Sequence, residues 1–259
     1  MVDIAEHNRA VYADVHTSRQ YGSAMDLQAP ESFILSRIGA EFKGKRILDI
    51  GVGGGRTTPY LLEISSNYVG IDFAAQMIAQ CRARYPSASF EVCDARDLSR
   101  FGAAAFDLVF FSFNGIDCNG HADRLAILGE IRRVLARGGA FVFSSHNRDC
   151  AEKGEMWPPS EAELRRLAKF VLTDPAAVLR HALNKRHEEA NDEYAIVNDD
   201  AGGYRCLLYY ISMDKQIVQL HEMGFGNVAA FGRDGRMIDA RESAAGRHDP
   251  WIYYLCRRQ

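Results

Sequence analysis

A segment near residue 50 constrains the fold of this chain most, because a short apolar run leads directly into a glycine-rich loop. Residues 46–56 read Arg-Ile-Leu-Asp-Ile-Gly-Val-Gly-Gly-Gly-Arg. The apolar run is typical of a buried strand, and the residues after the loop favour a helix. Glycine accepts positive φ and lets a ligand lie against the backbone without an intervening Cβ. The segment therefore predicts the first strand, loop and helix of an open α/β sheet, with a ligand at the carboxyl end of the strand.

The spacing of the glycines separates the ligand classes that such a loop can bind. A dinucleotide loop reads G-x-G-x-x-G, but the sixth position counted from Gly51 is Arg56. A phosphate loop needs Gly-Lys followed by Ser or Thr, which this segment does not contain. Asp49 lies two residues before the first glycine, and a carboxylate there repels a pyrophosphate but suits an amine-bearing ligand. The loop resembles motif I of the class I S-adenosylmethionine-dependent methyltransferases, in which it holds the methionine part of the cofactor.

A second acid stands at the end of the second predicted strand. Residues 68–72 read Tyr-Val-Gly-Ile-Asp, and Asp72 follows Gly51 by 21 residues. An acid about 20 residues after the first glycine is placed to accept hydrogen bonds from both ribose hydroxyls. A helix N-cap is the alternative role, since Asp72 precedes a predicted helix over Ala74–Ala83. Dinucleotide-binding proteins share this acid, so Asp72 by itself does not exclude NAD as the ligand.

The third and fourth strand ends follow the same pattern. Residues 90–98 predict a short strand followed by Asp94 and a turn. In the methyltransferase family, the acid at this place lies beside the adenine amino group. Residues 106–114 predict an apolar strand that turns polar at its end and resembles motif IV of the family. The end of that strand lacks the Asp/Asn-Pro-Pro-aromatic motif of the family's base-amine enzymes.

The fifth strand completes the resemblance. Residues 125–135 have apolar side chains at helical spacing, Gly138-Gly139 is predicted to end that helix, and residues 140–144 predict a strand. The ordered strand ends over residues 46–145 are similar to those of the class I methyltransferases. The resemblance implies a Rossmann-like, doubly wound α/β fold with a seven-stranded sheet and a terminal antiparallel hairpin.

The rest of the chain can be divided on the same basis. We expect an N-terminal helical cap over residues 1–45, an S-adenosylmethionine-binding domain over 46–147 and 211–259, and an inserted substrate lid over 148–210. Within the lid, a capping box at Ser160 and the Asp174-Pro175 pair predict helix starts, and residues 194–197 and 204–211 predict strands. Ser212 is the predicted N-cap of a helix that ends at Gly224, and the hairpin strands are predicted over 226–231 and 251–256.

The composition of the chain limits the kinds of partner that we expect it to bind. The chain has 259 residues, 47% hydrophobic and 25% charged, which is ordinary for a soluble globular protein. A formal charge of −3 argues against a nucleic-acid partner, because phosphate neutralisation needs a clustered basic face. No apolar run reaches membrane length and the N-terminus lacks a signal-peptide core, so we expect a cytoplasmic location and no membrane contact.

Two further features bear on assembly and on metal use. The loop over residues 232–250 is too long for a tight hairpin, so a lid, a dimer contact and plain disorder all stay open as its role. A dimer contact would imply a homodimer. The scattered cysteines contain no C-x-x-C pair, so neither a metal nor a disulfide is expected. They are Cys81, Cys93, Cys118, Cys150, Cys206 and Cys256.

The resemblance implies S-adenosylmethionine as cofactor, S-adenosylhomocysteine as product, and a binding set at the strand ends. The set is Asp49, Gly51, Gly53, Gly55, Arg56, Asp72, Phe73, Met77, Asp94, Ala95, Arg96, Phe111 and Ser112. Methyl transfer from a sulfonium is an in-line displacement in which the protein mainly aligns the acceptor, and a hydroxyl acceptor also needs a base.

His146 and His121 follow the fifth and fourth strands and are the candidate bases, because unperturbed histidine titrates near neutral pH. Ordinary loop and cap roles stay open for both histidines. The candidate acceptor contacts are Tyr21, Asn114, Asp117, Tyr209 and Tyr210. Turn formation and strand packing are the alternatives for these five.

Residues 111–117, 143–147 and 249–253 together resemble a bacterial subgroup of small-molecule methyltransferases found in polysaccharide and natural-product biosynthesis. The resemblance implies methyl transfer to a small polar acceptor, at a hydroxyl of a sugar or natural-product intermediate. Two alternatives remain, an NAD-dependent oxidoreductase and a non-catalytic protein that keeps the fold. The missing sixth-position glycine and the terminal hairpin weigh against the oxidoreductase.

Overall fold

The computed structural model describes residues 3–12, 26–150, 171, 173–200, 202–239 and 249–259. They include the helices α1 (Ile4–Tyr12), α2 (Ala29–Ile38), α3 (Thr58–Ile64), α4 (Ala75–Arg84), α5 (His121–Val134), α6 (Pro175–Asn184) and α7 (Met213–Glu222). The strands are β1 (Ile47–Ile50), β2 (Tyr68–Asp72), β3 (Ser89–Val92), β4 (Phe106–Phe111), β5 (Leu135–Asn147), β6 (Glu189–Ala190), β7 (Tyr194–Val197), β8 (Leu208–Ile211), β9 (Phe225–Phe231), β10 (Met237–Ile238) and β11 (Trp251–Arg258). No helix within these ranges is long and apolar enough to cross a membrane.

One twisted sheet organises the molecule, in the order β10-β9-β11-β5-β4-β1-β2-β3. Strands β1 to β5 pair in parallel, and β11 lies antiparallel between β5 and β9. The predicted Rossmann-like sheet with its terminal antiparallel hairpin is confirmed, but the described part of the sheet has eleven strands instead of the predicted seven. Because the parallel strands share one direction, the loops after β1, β2, β3 and β4 emerge at the same edge of the sheet.

Apolar side chains cover both faces of the sheet, as a doubly wound fold requires. Leu48 and Ile50 of β1 pack in a core with α5 and α7, whereas Ile47 packs in a second core with α2, α3 and α4. Side chains alternate along a strand, so Asp49 lies on the same face as Ile47. This alternation determines on which face of the sheet the Asp49 carboxylate lies.

The region of the predicted lid contributes strands to the same sheet. Strand β8 pairs in parallel with the end of β5, joining His146 to Tyr210, beyond the point where β4 stops. Strand β7 pairs antiparallel with β8, and β6 with β7. The predicted helix start at Ser160 lies outside the described residues. The boundaries of the lid stay a prediction.

Several predicted element boundaries were wrong. Helix α5 begins at His121 and ends at Val134, and the double glycine lies inside β5 instead of ending the helix. The register jumps here, since Phe106 pairs with Leu135 but Leu108 pairs with Ala140, so the extra residues bulge at Gly138, whose φ is +74°. Likewise, the strand predicted from residue 204 begins at Leu208, because Tyr204 has a left-handed backbone conformation.

A fully buried arginine ties α5 to the sheet and to α7. Arg124 donates to Asp117 Oδ1 at 2.5 Å, to Ser145 Oγ at 3.0 Å and to Gln216 Oε1 at 2.6 Å. Its Nε donates to Gln219 at 3.2 Å. Neither Arg124 nor Asp117 has side-chain exposure to solvent, so each charge depends on the other for compensation.

Replacing Arg124 with leucine should lower the free energy of unfolding by about 3–5 kcal/mol, because Asp117 is then buried without its cation. The measurement is a guanidinium unfolding curve. Arg132→Ala, an exposed arginine on the same helix, is the control and should stay within about 0.5 kcal/mol of wild type. A small loss for R124L would show that the buried pair is not needed.

A buried acid also lies beneath the glycine loop. Asp49 Oδ2 accepts from Thr57 Oγ1 at 2.7 Å and from Tyr68 OH at 2.8 Å. Burial raises the pKa of Asp49 from its ordinary value of 3.8 to about 7, and the two hydroxyl donors offset only part of that effect. The folded protein therefore holds a proton on Asp49 over a pH range in which the unfolded chain releases it.

The stability of the protein relative to Asp49→Asn should fall as pH rises from about 4 to about 7, by up to roughly 1.4 kcal/mol per pH unit. The sign follows because the folded state binds more protons than the unfolded state in this window. Unfolding curves of both proteins across this range test it. Asp97→Asn, at an exposed turn, is the control, and the stability of the wild type relative to this variant should not fall as pH rises over the same range. A difference between D49N and wild type that does not vary with pH would contradict the prediction.

Candidate functional site

A cleft opens at the carboxyl edge of the parallel strands, and we call it the central cleft. Residues from α1 and from the loops after β1, β2, β3 and β4 line it. They are Ala5, Asn8, Arg9, Ile50, Gly51, Gly53, Asp72, Phe73, Ala74, Met77, Cys93, Asp94, Ala95, Phe111, Ser112, Phe113, Gly115, Cys118 and Asn119.

The glycine loop presents bare backbone to this cleft. Gly51, Gly53 and Gly55 all have positive φ, of 63°, 54° and 87°. A Cβ on Gly51 would lie 2.9 Å from the ring of Phe111, whereas one on Gly53 would meet no atom within 4 Å. Gly51 is thus required for packing, and Gly53 leaves open space where a ligand can approach the backbone.

Asp72 anchors the loop and borders the cleft. Its Oδ2 accepts from Gly53 N at 3.0 Å and its Oδ1 accepts from Ala74 N at 2.8 Å. Burial raises the pKa of Asp72, and the two backbone donors offset part of that rise. The N-cap position of α4 is Ala74, so Asp72 supports the helix start from two residues away. Each carboxylate oxygen still has a lone pair for another donor, such as a ligand hydroxyl.

An apolar wall leads from Asp72 to the second acid of the cleft, Asp94. Phe73, Met77, Cys93 and Ala95 form this wall. Asp94 is half-buried and accepts from Arg96 N at 2.9 Å and from Arg96 Nη2 at 2.8 Å, and it also accepts from Arg9 of α1. Burial opposes ionisation of Asp94, but the Arg96 bonds outweigh it and hold its pKa below the usual value. Apolar walls next to a carboxylate suit a flat ring that carries an amine.

A buried ion pair supports the end of β4. Arg56 donates to Glu31 Oε1 at 2.6 Å and to Ser112 Oγ at 2.8 Å, and Ser112 also donates to Glu31. Tyr253 of β11 donates to Glu31 at 2.7 Å. Burial would raise the pKa of Glu31, but the Arg56 and Ser112 contacts lower it overall. Of this group only Ser112 lines the cleft, so Arg56 is structural in this arrangement.

His146 does not line the cleft and lies in a polar cluster. Its Nδ1 lies 2.7 Å from Asp117 Oδ2, although not aligned as a hydrogen bond, and its Nε2 lies 3.2 Å from Asn114 Nδ2. Its ring stacks on Tyr210 with centroids 4.8 Å apart. The backbone N–H of His146 also donates to Asp117 Oδ2 at 2.6 Å. Asn114 therefore stands between the imidazole and the cleft-lining Phe113 and Gly115.

His121 lies in a different environment. Its Nδ1 is 2.8 Å from Tyr209 OH, and its ring stacks on Tyr194 with centroids 4.3 Å apart. Burial lowers the pKa of His121. Tyr209 is itself buried, and this burial raises its pKa to about 12. His121 and Tyr209 thus form an aromatic contact between α5 and the β7–β8 pair, and neither lines the cleft.

The structure brings together most of the residues predicted for the cofactor. Those lining the cleft are Gly51, Gly53, Asp72, Phe73, Met77, Asp94, Ala95, Phe111 and Ser112. Those that do not line it are Asp49, Gly55, Arg56 and Arg96, together with His146, His121, Asn114, Asp117, Tyr209 and Tyr210. Tyr21 lies outside the described residues.

Sequence analysis predicted an N-terminal helical cap but named none of the α1 residues that line the cleft, which are Ala5, Asn8 and Arg9. A spacing of three and four residues puts these on one helical face, but nothing in that pattern says what the face meets. Cys118 and Asn119 were also missed, although they lie between Asp117 and His121. Among the described residues, no group of His, Cys, Asp and Glu could hold a metal ion.

Comparison with known proteins agrees with this geometry. The family model of a methyltransferase domain matches residues 47–139. The chain is similar to an uncharacterized methyltransferase of Synechocystis, with 31% identity over 116 residues, covering 45% of this chain and 53% of the relative. It is also similar to a demethylmenaquinone methyltransferase of Beutenbergia cavernae, with 30% identity, covering 55% of this chain and 58% of that protein. The chain thus spans little more than half the length of these relatives.

The fold has a counterpart among solved structures. The 1,6-didemethyltoxoflavin-N1-methyltransferase of Burkholderia thailandensis, solved with bound 1,6-didemethyltoxoflavin and S-adenosylhomocysteine, aligns with a TM-score of 0.60. That alignment covers 98% of this chain and 88% of the other at 14% identity, so it supports the fold alone. Residues 47–139 thus match a methyltransferase domain, and the sheet has the Rossmann-like order of the class I S-adenosylmethionine-dependent methyltransferase fold.

Proposed function

We propose that the protein transfers a methyl group from S-adenosylmethionine to a small polar molecule, at a hydroxyl of a sugar or natural-product intermediate. The observation that carries this proposal is the order of groups along the cleft. The open backbone at Gly53, the carboxylate of Asp72 and the carboxylate of Asp94 follow the ends of neighbouring strands β1, β2 and β3. These groups match an amino acid moiety, a ribose diol and an amine-bearing base in that order.

The residues present fit S-adenosylmethionine as a cofactor. Gly53 has room for a ligand against its backbone, Asp72 has lone pairs for ribose hydroxyls, and Phe73 and Met77 offer apolar walls for a purine. A bound sulfonium would supply the activated methyl group and the leaving group. The protein then has to hold the acceptor in line and exclude competing nucleophiles. Ser112, Phe113 and Asn119 lie at the part of the cleft beyond the loop, where we place the acceptor.

Removal of the acceptor's proton is the remaining chemical need, and we assign it to His146. The imidazole is nearly buried, and its Nδ1 faces the carboxylate of Asp117, which favours a proton on that nitrogen. Nε2 then faces Asn114, whose chain neighbours Phe113 and Gly115 line the cleft. Asn114 Oδ1 is buried without a hydrogen-bond partner, so the amide has capacity to contact an acceptor hydroxyl. A small turn of the Asn114 side chain would bring the acceptor and Nε2 within reach.

The relatives support methyl transfer, but they do not all act on the same kind of acceptor atom. Among them is a ubiquinone biosynthesis O-methyltransferase of Cereibacter sphaeroides, and the structural counterpart of the same fold is a 1,6-didemethyltoxoflavin-N1-methyltransferase, so oxygen and nitrogen acceptors both occur among proteins similar to this chain. The choice of a hydroxyl rests on the resemblance of residues 111–117, 143–147 and 249–253 to enzymes of polysaccharide and natural-product biosynthesis. The oxidoreductase alternative has no comparable support.

Calorimetric titration with S-adenosylmethionine, S-adenosylhomocysteine and NAD should give micromolar binding of the first two and no binding of NAD. Asp72→Ala should weaken S-adenosylhomocysteine binding by at least about tenfold, because it removes the ribose acceptor and loosens Gly53. Asp97→Ala, an exposed acid on the next loop, is the control and should bind as wild type does. NAD binding, or no binding of any of the three, would overturn the proposed function.

His146→Gln should lower kcat by about 10²- to 10⁴-fold with little change in the affinity for S-adenosylhomocysteine, because only the base is lost. The assay follows transfer of a labelled methyl group to a panel of sugars and nucleotide-sugars. His187→Gln, outside the cleft, serves as the control. If H146Q retains wild-type turnover on the acceptor found, alignment alone is sufficient and His146 is not the base.

A further inference from the structure

Helix α1 forms one wall of the central cleft. Hydrogen bonds connect it to the protein on two sides, through Asn8 and through Arg9. Asn8 is buried, donates to Cys118 O at 2.9 Å and to Leu207 O at 2.7 Å, and accepts from Leu207 N at 3.0 Å. On the other side, Arg9 donates to Asp94. The helix therefore crosses the cleft from the β8 side to the loop after β3.

The Asp94 carboxylate has no acceptor position left while Arg9 is in place. Oδ1 accepts from Arg96 N at 2.9 Å and from Arg96 Nε at 3.2 Å. Oδ2 accepts from Arg96 Nη2 at 2.8 Å, from Arg96 Nε at 3.1 Å and from Arg9 Nη2. A carboxylate offers about four lone-pair sites, so another donor can bind only by displacing one of these.

Arg9 is the donor that can leave. Arg96 is two residues from Asp94 and bonds it through both backbone and side chain, whereas Arg9 reaches it from a separate helix. The side chains of Arg9 and Asp94 are 35% and 30% exposed, and pairs this exposed are held weakly. Arg9 also has another acid within reach, since Glu6 Oε1 lies 3.3 Å from its Nε.

We propose that Arg9 occupies the hydrogen-bonding position on Asp94 that the 6-amino group of the cofactor's adenine requires. The adenine and Arg9 then compete for the same carboxylate, and α1 must release Asp94 before the adenine can bind fully. Arg9 thereby weakens cofactor and product binding and determines how much the 6-amino group contributes to recognition. This inference rests on the proposed function, because it takes S-adenosylmethionine as the ligand.

The test compares wild type with Arg9→Ala in calorimetric titrations against two ligands. One is S-adenosylhomocysteine, and the other is its analogue whose purine lacks the 6-amino group. R9A should bind S-adenosylhomocysteine about two- to fivefold more tightly, the size expected for removing a competing exposed ion pair. The affinity for the analogue should not change, because a purine without the amine does not need the Asp94 position.

Arg100→Ala is the matched control. Arg100 pairs with Glu91 of β3 at 2.8 Å, with side chains 47% and 32% exposed, and it does not line the cleft. It should leave both affinities as in wild type. Circular dichroism checks that R9A keeps its helix content, which alanine favours because it has the highest helix propensity.

The outcomes separate this inference from the proposed function. Unchanged or weaker binding of S-adenosylhomocysteine by R9A, with wild type binding it, overturns the role of Arg9 alone. Equal tightening for both ligands also overturns it, because the effect would not depend on the amine. Binding by neither protein overturns the proposed function and this inference together. Binding by R9A but not by wild type supports the competition in its strongest form.

Discussion

Parallel pairing of β1 with β2 on one side and with β4 on the other is the constraint on which the site depends. It brings the loops after these strands to one edge, so that groups far apart in sequence line one cleft. Both faces of β1 are buried, and its side chains alternate between two cores. The same alternation sends Asp49 beneath the glycine loop, where it supports Thr57 and Tyr68 and has no access to the cleft.

Two buried ion pairs reinforce the edge at which the acceptor would bind. Glu31 and Arg56 connect α2 and the glycine loop to Ser112, and Asp117 and Arg124 connect the turn after β4 to β5 and α7. Breaking either pair leaves a charge in a place that water does not reach. Such pairs contribute little net stability relative to apolar packing, but they hold the loops after β4 and β5 in one arrangement. A cleft that must align two reactants benefits from that rigidity.

The residues that sequence analysis brought to the cleft are those whose position follows from the backbone pattern. Gly51, Gly53, Asp72 and Asp94 lie at or near strand ends and line the cleft, and strand ends can be predicted from apolar runs and glycines. Side chains with a choice of partners were harder to place. Arg56 turns to Glu31 of α2, and Tyr210 donates to Asp199. The prediction that Gly138-Gly139 ends a helix was wrong because glycine occurs both at helix ends and in β-bulges. Only the register of β5 against β4 distinguishes a helix end from a bulge here.

The sequence by itself determined the fold class and the positions of the main strand ends along the chain, because periodicity and glycine placement are local properties. The tertiary structure alone decided that α1 reaches over the cleft, that Arg9 meets Asp94, and that Asp117 faces both His146 and Arg124. These contacts join residues from separate elements whose mutual orientation depends on packing. Arg9 and Asp94 are 85 positions apart in the sequence, and no local sequence pattern indicates that they are in contact.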